Sequence, residues 1–127
     1  MIVRLIIPKV ITVPHIIVEY AKQQVNDTQV DAILHTIHHA IVESGLFKAD
    51  QIKTRAYAFT KFTNGGGSEP YIHIQARIKA GRDVDNKKQL SDVILKGLST
   101  LNLPISVITV EVIDMERESY GKYSPNR

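Results

Sequence analysis

The chain contains no cysteine, which excludes disulfides, thiolate metal centres and cysteine nucleophiles. This absence fits a reducing cytoplasm, where we expect the protein to work. Also missing is any apolar stretch near the roughly 20 residues needed to cross a bilayer, so no membrane partner is expected. A large charge excess is absent as well: 16 basic residues stand against 13 acidic ones, a formal net charge of +3. That excess is too small to argue for nucleic acid, and the basic residues are scattered without an aromatic stacking pattern. Small anionic ligands suit such a charge at least as well. What is present is an ordinary globular composition, 43% hydrophobic over 127 residues. This is room for one domain around one core.

The opening residues 1–13, MIVRLIIPKVITV, are apolar and carry Arg4 and Lys9. Pro8-Lys9 cuts that run short, and no small-residue cleavage site follows, so the segment reads poorly as a signal peptide. It reads better as an extension ahead of the working domain.

From Pro14 onward the chain repeats one design. Pro14-His-Ile-Ile-Val-Glu-Tyr opens a β-rich run, and Pro70-Tyr-Ile-His-Ile-Gln-Ala-Arg-Ile opens another with period-two alternation. A helix is predicted after each. In the first, Val30, Ile33, Leu34, Ile37 and Ile41 form one apolar stripe; Asp27 or Thr28 can cap its start, and Gly45 its end. In the second, Val84, Leu90, Val93, Ile94, Leu98 and Leu101 do similar work behind an Asp83 cap, with Gly97 weakening the interior by about 1 kcal/mol. Closing strands are predicted over Ile52 to Phe62 and Ser106 to Ile113, with the flexible Asn64–Glu69 turn between the halves.

The expected fold is α/β (α+β). Two β-α-β halves, 14–63 and 70–113, form a four-stranded sheet with two helices on one face. The domain spans 14–115, and 116–127 is a polar tail ordered only by neighbours. A bare Ile/Val face on the other side of the sheet would call for burial, which predicts a homo-oligomer.

Pro-His-Ile-Ile-Val-Glu at 14–19, Ile52-Lys53-Thr54-Arg55, Tyr71-Ile72-His73 and Ala80-Gly81-Arg82 occur in one shared register on this doubled frame. Together they resemble the 5-carboxymethyl-2-hydroxymuconate isomerase family, relatives of 4-oxalocrotonate tautomerase, over about Pro14 to Ile113. The resemblance implies a tautomerase/MIF-like fold, a homotrimer, no cofactor, and an amino-terminal proline as general base. It further implies an isomerase of aromatic-compound catabolism that moves a proton along an unsaturated hydroxy or oxo di- or tricarboxylic acid. By this matching Pro14 is the catalytic residue, and Lys53, Arg55 and Arg82 bind substrate carboxylates; no metal is expected. The family pattern has arginine at the position of Lys53, and lysine lacks the planar fork that grips a carboxylate in two places.

A free prolyl amine is a base, and nearby cations and burial both lower its pKa towards neutrality. An internal proline nitrogen is an amide without usable basicity. Val13 bears on this, because a GTG codon reads as valine internally yet can also start translation with methionine. The reading predicts that translation starts at position 13 and that trimming leaves Pro14 first.

Two alternatives accompany this reading. One is a non-enzymatic ferredoxin-like binding module, which shares the element order but interleaves its strands. For RNA it would need paired aromatics, and only Tyr57, Phe59 and Tyr71 are offered. The other is a trimeric paralogue without activity because Pro14 is not N-terminal. Of the remaining features, His35, His38 and His39 read as a solvated helix face, His15 and His73 as core or interface residues, and Gly65-Gly66-Gly67 as a turn rather than a phosphate cradle.

Overall fold

The computed structural model describes residues 13–125. Residues 1–12 of the expected extension lie outside the described residues. The alternation seen in the sequence becomes four strands: β1 (His15–Ala21), β2 (Lys53–Phe59), β3 (Tyr71–Lys79) and β4 (Val107–Met115). Two helices, α1 (Asp27–Ser44) and α2 (Val84–Leu98), follow β1 and β3. The closing strands are offset from their expected bounds, and β2 stops at Phe59, short of Phe62.

The sheet order is β2-β1-β3-β4, with β1 and β2 parallel, β3 and β4 parallel, and the two halves joined antiparallel through β1 and β3. Strands therefore pair within each half, as expected of the tautomerase frame. The interleaved ferredoxin-like arrangement is excluded.

Even-numbered residues of β1 and β3 face the helices. Ile16, Val18, Ile72, Ile74 and Ala76 are fully buried there, meeting Ile33, Ile37 and Ile41 of α1 and Leu90, Ile94 and Leu98 of α2. Val84 was expected in that stripe, but it is 75% exposed. It is the first residue of α2, where the chain has not yet turned onto the sheet.

The caps are local devices. Asn26, one residue ahead of the expected candidates, starts α1 with a capping box: its Oδ1 accepts from the Gln29 amide at 2.8 Å and its own amide donates to Gln29 Oε1 at 2.9 Å. Asp27 instead sits in the first turn, where its charge suits the helix dipole. Gly45 closes α1 in the left-handed conformation with φ 77°, and Asp83 caps α2. Gly97 has a packing role: a Cβ there would stand 3.3 Å from Ala40 Cβ and from Thr36 Cγ2. The helices touch where that methyl would be.

The opposite face differs from expectation. It is not a broad Ile/Val surface, because the period of two sends most Ile and Val of β1 and β3 inward. Its outward positions carry His15, Ile17 and Glu19, then Lys53, Arg55 and Tyr57, then His73, Gln75, Arg77 and Lys79, while β4 adds Thr109 and Glu111 between the apolar Val107 and Ile113. One end is aromatic, where Phe59, Phe62 and Tyr71 pack with centroids 5.0–5.7 Å apart. The other end is cationic. No helix among the described residues is long and apolar enough to cross a membrane.

Candidate active site

The cationic end forms where β1 begins. Val13 is 3% exposed, Pro14 is fully buried, and the Pro14 carbonyl accepts the Lys53 amide at 3.0 Å. That bond sets the parallel register, which puts His15 opposite Lys53 on β2 and, across the antiparallel pairing, opposite Arg77 on β3. Arg55 lies two residues beyond Lys53 on the same face and brings Nη1 to 3.2 Å from His15 Nδ1. The structure thus gathers Lys53 and Arg55 beside the residue that follows Pro14.

A guanidinium can only donate, so His15 Nδ1 accepts and the ring is neutral with its hydrogen on Nε2. That hydrogen is donated to Tyr120 Oη at 2.8 Å. The electrostatics agree: burial, then the positive charges of Arg55, Lys53 and Arg77, hold the His15 pKa below the usual histidine value. Lys79 is pushed down too, by desolvation first and then by Arg117 and Lys122. Burial disfavours charge of either sign, whereas the cations disfavour protonation and attract anions; both effects would lower the pKa of an amine at the head of β1.

Arg82 is placed elsewhere. It follows Gly81, whose φ of 129° bends the chain after β3, and precedes the Asp83 cap. Its Nη2 donates to the Leu46 carbonyl at 2.9 Å, and its guanidinium stacks 4.3 Å over the Phe47 ring. There it lines a cleft of about 560 Å³ with Leu46, Lys48 and Gln51. Phe47 belongs to the core on the helix-covered side. Lys53 and Arg55 point from the other face, so one chain does not bring all three cations together.

The sequence profile of the family described as 5-carboxymethyl-2-hydroxymuconate isomerase matches residues 14–109. The chain belongs to this isomerase family. Solved structures agree on the fold. A 5-carboxymethyl-2-hydroxymuconate isomerase from Deinococcus radiodurans R1 superposes with TM-score 0.73 at 17% identity, over 87% of this chain and 88% of that one. A fused 4-OT asymmetric trimer gives TM-score 0.74 at 18% identity, over 85% of this chain and 91% of that one. A member of the cis-3-chloroacrylic acid dehalogenase family gives 0.72 at 18% identity, over 86% and 80%. No curated protein matches the chain significantly.

For a member of the isomerase family, several residues near the head of β1 were not singled out from sequence. Arg77 could have been, since it alternates with His73, Gln75 and Lys79 on the outward side of β3. Tyr120 carries no such signal, because it meets His15 across 105 positions of chain. It also shows that the tail after β4 does not depend wholly on neighbours for its contacts: Tyr120 binds His15, and Arg117 Nη1 donates to the Ala80 carbonyl at 3.3 Å. His15, for which packing is the first expectation and ligand contact beside Pro14 the second, is a hydrogen-bonded link between Arg55 and that tail.

The other histidines have separate partners. His35 bonds the Asp31 carbonyl at 2.8 Å, His38 the Ala49 carbonyl at 3.0 Å, and His39 lies 3.5 Å from Glu43. His73 spans Thr109 at 2.7 Å and Glu111 at 2.6 Å on β4. Among the described residues no group of three or more such side chains is placed to hold a metal ion.

Proposed function

We propose that the chain is a cofactor-independent tautomerase. It shifts a proton by keto-enol chemistry along an unsaturated hydroxy or oxo di- or tricarboxylate of the 5-carboxymethyl-2-hydroxymuconate kind. The observation that carries this reading is the ring of cations at the head of β1, immediately beside Pro14. The family match, which begins at Pro14, supports the same position for the base.

In this reading residues 1–13 are absent from the working protein and the Pro14 nitrogen is a secondary amine. An α-amino group titrates near 8, and neighbouring cations bring it closer to neutrality, so a useful fraction is unprotonated. The amine removes a proton from the substrate and returns it further along the conjugated system. Lys53 and Arg55 hold carboxylates and stabilise the enolate charge that develops during transfer. Arg82 serves the site of a neighbouring copy, which makes the working unit a homo-oligomer. The trimeric state of the 4-OT fusion it resembles supports three copies, and the sheet face that the helices leave open is the surface through which they would pack.

The test compares three proteins on 2-hydroxymuconate: the chain starting at Pro14, the full 127-residue chain, and the Pro14→Ala form of the short chain. Turnover in the first, with losses of a hundredfold or more in the other two, is the expected result. Equal rates in all three would end the reading.

A further inference from the structure

The segment after β4 turns back across the cationic end of the sheet, and it does so with a defined hydrogen-bond direction. Arg55 fixes that direction, because His15 Nδ1 must accept from it. His15 Nε2 then donates to Tyr120 Oη. The Tyr120 oxygen is thereby used as an acceptor, and its own hydrogen has no acceptor among the described residues. The Tyr120 ring is also held, with Lys79 Nζ 4.8 Å from its centroid, and Arg117 ties the same segment to Ala80. A hydroxyl fixed through its oxygen, with a free hydrogen and with Lys53, Arg55 and Arg77 around its histidine partner, is arranged to meet an anion.

We propose that Tyr120 is a ligand-contacting residue of this site, donating its hydroxyl hydrogen to a carboxylate or enolate oxygen of an anion held among Lys53, Arg55 and Arg77. His15 is the positioning residue that aims it. The cations supply attraction with little direction, whereas a single neutral donor selects where one oxygen must lie. This rests on the anion site of the proposed function, but not on Pro14 being a free amine.

The test is binding of 2-oxoglutarate, an oxo dicarboxylate probe, to the full chain by calorimetry. Wild type is compared with Tyr120→Phe, which keeps the ring over Lys79, and with Tyr123→Phe as a control at a residue 85% exposed. Tyr120→Phe should raise Kd about tenfold, with Tyr123→Phe unchanged. Nitrogen-15 NMR of His15 gives a second readout, since its Nε2 signal should shift on probe binding in wild type and should move in Tyr120→Phe as the acceptor is lost. A folded Tyr120→Phe that binds as tightly as wild type overturns the proposal. So does a wild-type chain that shows no probe binding and no His15 shift. If the Kd difference holds while the chain starting at Pro14 shows no turnover, the isomerase reading fails and the role of Tyr120 stands.

Discussion

The two faces of the sheet are built from the same strands, one residue out of step, and they have opposite chemistry. On the helix-covered side, Ile16, Val18, Ile72, Ile74 and Ala76 are all fully buried. On the other side, the residues between them are His15, Ile17, His73, Gln75 and Arg77, all partly accessible. The covered face needs only volume and apolarity, so its residues are nearly interchangeable in kind. The open face needs particular groups at particular places, and its charges are kept out of the core by the pleat alone. Strand alternation thus lets one short chain separate stability from chemistry.

Deleting bulk from the covered face should have the largest effect. Ile74→Ala removes a fully buried side chain from the middle of β3 and should cost about 2–5 kcal/mol in urea denaturation. Its neighbour on the open face, Gln75→Ala, should stay within about 0.5 kcal/mol. Equal losses at the two positions would break the division of labour. Next in size is Arg55→Gln in the chain starting at Pro14. It removes a charge that touches His15 and, on the proposed reading, a substrate carboxylate. A fall of about a hundredfold in kcat/KM is expected, with stability little changed. A matching loss of stability would mean that the open face also holds the fold together.

The contrast between faces also explains what was legible in the sequence. Burial is periodic, so the strands and both helices follow from spacing between Pro14 and Ile113, whereas the pairing within halves does not, because a ferredoxin-like module has the same element order. The same periodicity, carried through to the outward positions, would have shown that the open face is polar and would have brought Arg77 in beside Lys53 and Arg55. The Asn26 cap was missed by one residue, because the apolar stripe does not mark where a helix begins, and several polar residues in a row can cap it. Arg82 lies in the loop between β3 and α2, and its guanidinium direction is set by Phe47 and Leu46, which no local pattern announces. Tyr120 is the extreme case, since only tertiary structure connects it to His15.

A third test concerns the covered face through its helix rather than its core. Asn26→Ala removes the side-chain acceptor of the Gln29 amide while leaving every buried residue in place. Thermal denaturation should show a loss of about 1 kcal/mol. If the loss approaches that of Ile74→Ala, α1 owes more to its first turn than to the core it covers.

The smallest expected effect is a pH dependence that belongs to the open face alone. In the folded chain His15 is held below its usual value of about 6.5, first by burial and then by Arg55, Lys53 and Arg77. The unfolded chain takes up that proton near 6.5, while the folded chain resists it until lower pH. Across this window the unfolded state binds more protons, so stability falls as pH falls and is fully restored above it. His15→Gln removes the titration, and its stability difference from wild type should therefore shift in the variant's favour between pH 7.5 and 5. Because desolvation is the leading cause, added salt should remove only the smaller, charge-dependent part of that slope. Parallel pH curves for the two proteins would show that the cations around His15 do not act on it in the folded chain, and would leave the open face without the field that separates it from the core side.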